Sequence, residues 1–328
     1  MEGVILLADP NSKAWDFSLR IKKYMDEVKE DLILLEPVLI TTFRNGEVGI
    51  HVPRNIRKKH IYFIHDSTKD PQRWWVELLL LKDLLLSASA ESVSFVLPDI
   101  LYSRQDRKDR PHVPISARAL ANSISPGLKR IITMELHASQ IQGFYPDKLP
   151  LDNLYSFPDA VKHFREHHLE DLKKLVLVSP DAGGAERTRS FLQRLIRAQR
   201  ENNEYNEYSF ALISKIRPSA GEIEEMRLVG DVKDKNCLIV DDIIDSGTTL
   251  CKAAELLKES GAKKIFAYAT HGIFSKGTEE LLKNFDAIMT SNTHSIENHR
   301  VEVIDVSGVF AEAIYRDIKG HSISKLFE

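Results

Sequence analysis

The densest chemistry in the chain lies in Val240-Asp241-Asp242-Ile243-Ile244-Asp245-Ser246-Gly247-Thr248-Thr249. An apolar run at 238–240 leads into two carboxylates and a Ser-Gly-Thr-Thr turn, and residues 250–257 continue with the spacing of a helix. Such a turn presents backbone N–H groups and hydroxyls at the positive end of a helix dipole, where a phosphate is stabilised. Gly247 permits the tight backbone path that lets those groups converge. Asp241 and Asp242 cannot take a phosphate directly. They suit donors, such as the hydroxyls of a sugar, or a hard divalent cation. A phosphate cradle beside acceptors for sugar hydroxyls describes a phosphorylated ribose. A lone Asp-Ser-Gly would be read as a helix cap, and the full ten-residue string is what makes the signal specific.

Three other stretches carry related groups. Ser103-Arg104-Gln105-Asp106-Arg107-Lys108 comes after an apolar run at 93–97. Arg104 offers a planar fork for phosphate oxygens, and the Gln105 amide suits a base or a phosphate. Taken alone, a charge run of this kind is a solvated face. Glu135-Leu136-His137-Ala138-Ser139-Gln140-Ile141-Gln142-Gly143 follows the run at 131–134 and sets a carboxylate two residues before an imidazole. Ser179-Pro180-Asp181-Ala182-Gly183-Gly184 follows 175–178, and its glycines allow close backbone approach while Asp181 offers oxygen to Mg²⁺ or water. By itself this third stretch is a glycine-rich turn between a strand and a helix.

All four stretches need a framework, and the apolar pattern supplies one. Short apolar runs at 61–64, 93–97, 131–134, 175–178, 238–240 and 265–269 read as buried strands. Between them, 74–87, 115–123, 187–198 and 248–260 carry helical spacing. The alternation predicts parallel strands with helical crossovers, hence an α/β fold, in which polar residues past the carboxyl ends of strands face the ligand. An internal parallel between 84–103 and 256–275, and another between 132–137 and 288–294, points to two similar α/β halves, residues 1–150 and 151–328. The polar cluster at 199–209 reads as a surface loop.

Composition narrows the class. A chain of 328 residues has room for about two domains. With 45 Lys+Arg against 48 Asp+Glu, the formal charge of -3 provides no basic field for nucleic acid. Two cysteines, Cys237 and Cys251, exclude a disulfide framework and fit a reducing cytoplasm. Lys82-Asp83 interrupts the apolar patch at 78–81 well short of a membrane span, and the N-terminal residues lack the basic and long apolar regions of a signal peptide. A soluble cytoplasmic protein is expected, with no membrane partner.

The ten-residue string resembles the ribose-phosphate motif of two enzyme classes, the phosphoribosyltransferases that consume phosphoribosyl diphosphate (PRPP) and the ribose-phosphate diphosphokinases that make it. Arg104-Gln105-Asp106-Arg107 and Leu136-His137-Ala138-Ser139-Gln140-Ile141-Gln142-Gly143 resemble the diphosphokinase (PRPP synthetase) family alone, and the likeness runs from about Phe43 to Ser322-Ile323-Ser324-Lys325-Leu326-Phe327. It implies two similar phosphoribosyltransferase-type α/β domains with largely parallel sheets. It also implies Mg²⁺-dependent transfer of the diphosphoryl group of ATP to the 1-hydroxyl of ribose 5-phosphate, giving PRPP and AMP.

By the same resemblance, Asp181, Arg217, Asp241, Asp242, Asp245, Ser246, Gly247, Thr248 and Thr249 bind ribose 5-phosphate. Phe43, Asn45, Gly46, Glu47, Arg104, Gln105, Asp106 and His137 bind ATP, with the Phe43 hairpin serving a neighbouring subunit of a homo-oligomer, such as a hexamer or another dimer-based assembly. Asn45 stands where the family usually has Asp, and Glu135 likewise replaces Asp. His137 and Asp181 match the positions linked to Mg²⁺. Imidazole is a poor ligand for a hard cation, so His137 serves a phosphate or a metal-bound water as readily as the ion. Lys215 and Arg217 match the catalytic pair, two apart in an extended segment and so on one face. The stretch 219–225 reads as a loop that closes over the substrates. A regulatory relative that keeps the fold without turnover would be expected to have lost or interrupted these strings, which here are intact.

Overall fold

The computed structural model describes residues 3–28, 33–216 and 225–326. These form two compact units. The first runs to Tyr155 and takes in Thr293–Ser295 and the stretch from Val306, while the second comprises Ser156–Asn292 and Ile296–Asp305. The chain thus enters the first unit three times, and neither unit is one continuous stretch.

The first unit is built from β1 (Val4–Ala8), α1 (Lys13–Val28), β2 (Leu34–Pro37), β3 (Leu39–Thr42), β4 (Val48–His51), β5 (His60–Ile64), α2 (Pro71–Ser87), β6 (Ser92–Leu97), α3 (Ser116–Ile124), β7 (Arg130–Met134) and β8 (Leu151–Leu154). The second holds α4 (Phe157–His167), β9 (Lys174–Ser179), α5 (Ala185–Glu201), β10 (Glu207–Ile216), β11 (Glu225–Val229), β12 (Asn236–Ile244), α6 (Thr248–Glu259), β13 (Lys264–Gly272), α7 (Glu279–Asn284), β14 (Ala287–Ser291) and β15 (Glu302–Ile304). The last helix, α8 (Ser307–Lys319), belongs to the first unit.

Among the described residues the first sheet has the order β2-β1-β5-β6-β7-β8, all parallel. The second has the order β11-β10-β9-β12-β13-β14-β15, parallel except for the edge pair β10 and β11. Setting β1 on β9 and β5 on β12 carries every later strand of the first sheet onto one of the second. The internal parallels in the sequence fall on matching positions in this scheme, β6 with β13 and β7 with β14. The α/β expectation therefore holds, with β11 added to one unit and the β3–β4 hairpin to the other.

The apolar runs explain the layering. Val4–Ala8 is buried throughout, as parallel strands covered on both faces require. Trp74, Leu78, Leu81 and Leu85 of α2 pack with Phe63 and Phe95 in the first core. Val176, Ile239, Ala253, Leu257 and Ile265 hold one face of the second sheet, and Phe157, Phe164, Phe191, Phe266 and Tyr268 make edge contacts on another. Of the leucine patch at 78–81, Leu78 and Leu81 thus belong to the buried stripe of α2 while Leu80 is exposed, and no helix among the described residues is long and apolar enough to cross a membrane. The polar cluster at 199–209 is only partly a loop: α5 runs to Glu201 and β10 begins at Glu207, because Tyr208 and Phe210 pair in register with β9.

Helix α8 is tied to the first sheet by a charged network. Asp317, 5% exposed, accepts from Tyr62 at 2.5 Å and lies 3.0 Å from Arg130 and 3.3 Å from Lys129. Arg130 also pairs with Asp152. Removing Asp317 leaves the buried Tyr62 hydroxyl without its acceptor and Arg130 with Asp152 alone. Asp317→Ala is therefore expected to cost about 1–3 kcal/mol, read as lost hydrogen-exchange protection in α8 and β7; protection equal to wild type would contradict the role given to this network.

Candidate functional site

In the second unit the chain leaves β9 through α5 toward β10 and leaves β12 through α6 toward β13. The two crossovers depart in opposite directions, so the carboxyl ends of β9 and β12 flank a topological switch point, the usual ligand crevice of an open parallel sheet. The loop Asp181–Gly184 and the segment Asp241–Thr249, from the end of β12 to the start of α6, are placed there. Strand β12 extends further than its apolar run, through Ile244, so Asp241 and Asp242 lie within the strand's last turnings and not beyond it.

Arg187, in the first turn of α5, faces both carboxylates. Its Nη1 is 3.3 Å from Asp241 Oδ1 and 3.1 Å from Asp242 Oδ1. Asp241 Oδ1 also accepts from the Asp242 backbone at 2.9 Å. Burial, reinforced by the like charge of Asp242, pushes the Asp241 carboxyl up to about 8 against the opposing pull of Arg187. Sequence spacing did not single out Arg187; its only sign is a basic residue three positions past Gly183-Gly184, at the start of a helix.

The turn after β12 has the geometry of an anion cradle. Gly247 has φ +73° and caps α6. A Cβ there would meet Leu281 side-chain carbons at 2.6–2.8 Å, so both conformation and space require glycine. Ser246 Oγ lies 3.2 Å from Thr248 Oγ1, and Thr248 and Thr249 are exposed at the helix start. The Asp245 carbonyl accepts from Ser275 at 3.2 Å, which fixes the turn from the β13 side. On the other loop, Asp181 Oδ1 accepts from Gly184 N at 3.0 Å, just before α5, while Ser179 Oγ donates to the Asp181 carbonyl at 2.7 Å.

Lys215 lies near the carboxyl end of β10, next to β9 in the sheet and on the same side as the Asp181 loop. Arg217 and residues 219–224 of the expected closing loop lie outside the described residues.

In the first unit the equivalent crevice, between β1 and β5, is filled by its own side chains. Lys69 Nζ contacts Asp9 at 2.9 Å and the fully buried Glu77 at 2.8 Å, and Arg73 donates to Glu77 at 2.7 Å. Asp66 accepts from Thr68 N at 2.8 Å and from Lys13 N at 3.0 Å. His65 is buried, and desolvation together with Lys69 lowers it to about 3, so it is neutral. The expected nucleotide residues stand elsewhere, after β6, after β7 and on the β3–β4 hairpin.

There the polar side chains are held by one another. The Gln105 amide oxygen accepts from Ser116 Oγ at 2.5 Å, which turns its N–H₂ end away from Ser116 as a donor. Asp106 accepts from Gln140 Nε2 at 2.7 Å and thereby joins the Arg104 loop to the His137 loop. In the hairpin, Phe43 N donates to the Glu47 carbonyl at 2.8 Å and Asn45 Oδ1 accepts from Glu47 N at 3.2 Å, with Gly46 at φ +92°. The exposed Phe43 ring lies across Gly49, where a Cβ would come within 3.0 Å of it. This leaves a flat apolar face suited to stacking on a base.

Two family models match the chain. The N-terminal domain of ribose phosphate pyrophosphokinase matches residues 17–126, and the phosphoribosyl synthetase-associated domain matches 206–328. Among solved structures, the fold is similar to phosphoribosylpyrophosphate synthetase from Mycobacterium smegmatis, at 27% identity over 97% of this chain and 100% of that one, with a TM-score of 0.85. Hypoxanthine phosphoribosyltransferase from Staphylococcus aureus matches 46% of this chain and 74% of that one at 18% identity, and purine phosphoribosyltransferase from Pyrococcus horikoshii 45% and 86% at 20%. Their TM-scores of 0.27 are too low to bear on function.

A raised carboxyl in the folded state has a definite consequence. Between its ordinary value of 3.8 and about 8, folded Asp241 holds a proton that the unfolded chain releases. Ligand-free stability therefore falls as pH rises through that window. Asp241→Asn is expected to melt progressively higher than wild type from pH 5.5 to pH 8.5, followed by scanning fluorimetry; a gap that stays constant would refute the assignment.

Proposed function

Because the chain belongs to the ribose-phosphate pyrophosphokinase (PRPP synthetase) family, we propose that it transfers the diphosphoryl group of ATP to the 1-hydroxyl of ribose 5-phosphate, releasing AMP. The observation that carries this reading is the crevice of the second unit. A left-handed Gly247 opens α6 to an anion within a few residues of two carboxylates bridged by one guanidinium. A phosphomonoester and the hydroxyls of a pentose are the chemistry these groups match.

Asp245, Ser246, Gly247, Thr248 and Thr249 would hold the 5-phosphate through backbone N–H groups and hydroxyls. Asp241 and Asp242 would accept from the ribose hydroxyls, with Arg187 keeping them oriented. In the first unit, Phe43 would stack on adenine, with Asn45 and Glu47 at its edge and Gly46 shaping the turn. This hairpin would serve a neighbouring copy in a homo-oligomer. Arg104, the N–H₂ group of Gln105 and His137 would contact the triphosphate, and Asp106 would act on them through Gln140. Lys215 and Arg217 would stabilise the charge that moves with the diphosphoryl group.

The donor set of the second unit fits a magnesium ion. Asp181, Asp241 and Asp242 are oxygen donors, and the raised Asp241 carboxyl marks a place where added positive charge is favourable. Asp181 would hold the ion, which neutralises triphosphate charge when bound. A cytoplasmic location suits these substrates.

Incubation of the purified chain with Mg²⁺, ATP and ribose 5-phosphate is expected to yield AMP only when the sugar is present; release of inorganic phosphate alone would contradict the reading. Lys215→Ala is expected to lower turnover by about 10²–10³-fold with the fold intact by circular dichroism. Wild-type turnover in that variant would remove Lys215 from the mechanism.

A further inference from the structure

Strand β7 ends in an unusual way. Glu135 has φ +45°, a left-handed backbone at a residue with a full side chain, and it stands two positions before His137. Such a conformation costs about 1–3 kcal/mol and persists only where its surroundings over-determine it. Here two hydrogen bonds from the neighbouring strand β8 do so. Glu135 N donates to the Leu154 carbonyl at 2.9 Å, and Leu136 N donates to Asn153 Oδ1 at 3.0 Å.

The second bond is the one the main chain does not supply. Beyond Met134, paired with Leu154, the ladder between β7 and β8 stops, and the chain must turn out of the sheet to present its loop. The buried Leu136 N–H would then lack an acceptor. Asn153, 7% exposed, places its carboxamide oxygen there from the strand alongside. An apolar residue at 153 would leave that N–H buried without this acceptor and remove one restraint on the left-handed turn.

We propose that Asn153 is a positioning residue for the nucleotide site. Its side-chain oxygen holds the Leu136 amide, and the strained Glu135 turn so fixed delivers the His137 imidazole to the phosphates of ATP. The requirement is for an acceptor, so a carboxylate of the same length meets it and an alkyl group does not. The proposal rests on the reading that His137 serves ATP, and the experiment separates the two.

Asn153→Leu, Asn153→Asp, His137→Ala and the double variant Asn153→Leu/His137→Ala are assayed for sugar-dependent AMP release, with the affinity of a non-hydrolysable ATP analogue measured by calorimetry. Asn153→Leu is expected to lower kcat/KM for ATP and analogue affinity by about 10- to 100-fold, with KM for ribose 5-phosphate changed by less than about twofold. Asn153→Asp is expected to stay within about threefold of wild type. The double variant is expected to be no worse than His137→Ala alone, since residues acting through one group are not additive.

Equal loss in the Leu and Asp variants, multiplying losses in the double variant, or wild-type ATP kinetics in Asn153→Leu would each overturn the positioning role. If Asn153→Leu does not fold, a folded Asp variant impaired as badly as His137→Ala overturns it equally. Unchanged ATP kinetics in His137→Ala would instead overturn the assignment of His137 itself.

Discussion

Two neighbouring carboxylates in a partly buried crevice repel each other and lose hydration, and either effect alone would drive one of them to take up a proton. In the second unit Arg187 opposes both effects at Asp241 and Asp242 from a single nitrogen. A guanidinium suits this position because it stays charged and presents several donors in a rigid plane. Much else in the unit follows from keeping that contact. Helix α5 must begin close behind β9, and Asp181 holds the intervening turn by accepting from Gly184 N. Thr188, the next residue, donates to the Gly184 carbonyl at 3.1 Å and lies 3.4 Å from the Val240 carbonyl, which locks the helix start to the strand that carries the carboxylates.

The two units then show how one topology can yield opposite outcomes. Both have a switch point flanked by the first and third strands of the pattern. In the first unit Lys69, Asp9, Glu77 and Arg73 satisfy one another there, and Asp66 spends its oxygens on the backbone N–H groups of Thr68 and of the distant Lys13. Its two cations, Lys69 and Arg73, are already neutralised by carboxylates. In the second unit the same place carries a left-handed glycine, short hydroxyl side chains and a helix start. Duplication of the fold therefore does not duplicate the site, and the first unit's polar loops are displaced to β6, β7 and the hairpin.

How much of this was legible in the sequence depends on the range over which each feature is determined. The runs at 61–64, 93–97 and 175–178 revealed their strands because both faces of a parallel sheet are buried and the apolar signal is continuous. Strand β15, three residues including Glu302, carries no such signal and exists because β14 offers it an edge. The string at 241–249 was readable because its chemistry is local, one strand end and one helix start. Arg187, Asn153 and Ser116 were not, since each acts on a residue that only strand order or loop packing brings near. Lys69 and Glu77 hid for the same reason: their spacing looks like an ordinary helix entry.

The restraints on the first unit's loops bear on what those loops can do. Glu135 is left-handed two residues before His137, and Tyr102 is left-handed at φ +64° two residues before Arg104, with its ring 4.9 Å from Trp75. Gln105 is turned by Ser116, and Asp106 is joined to Gln140. Each device fixes direction and adds no contact with a ligand. Phosphoryl-type transfer gains mainly from donors already aimed at the place where charge develops, because reorienting them during the reaction would cost what they contribute. Long side chains lose considerable rotamer freedom when they bind a ligand, and a backbone set in advance limits that loss to the side chain. The left-handed backbones at Tyr102 and Glu135 are thus held by ring packing on Trp75 in one case and by hydrogen bonds to β8 in the other.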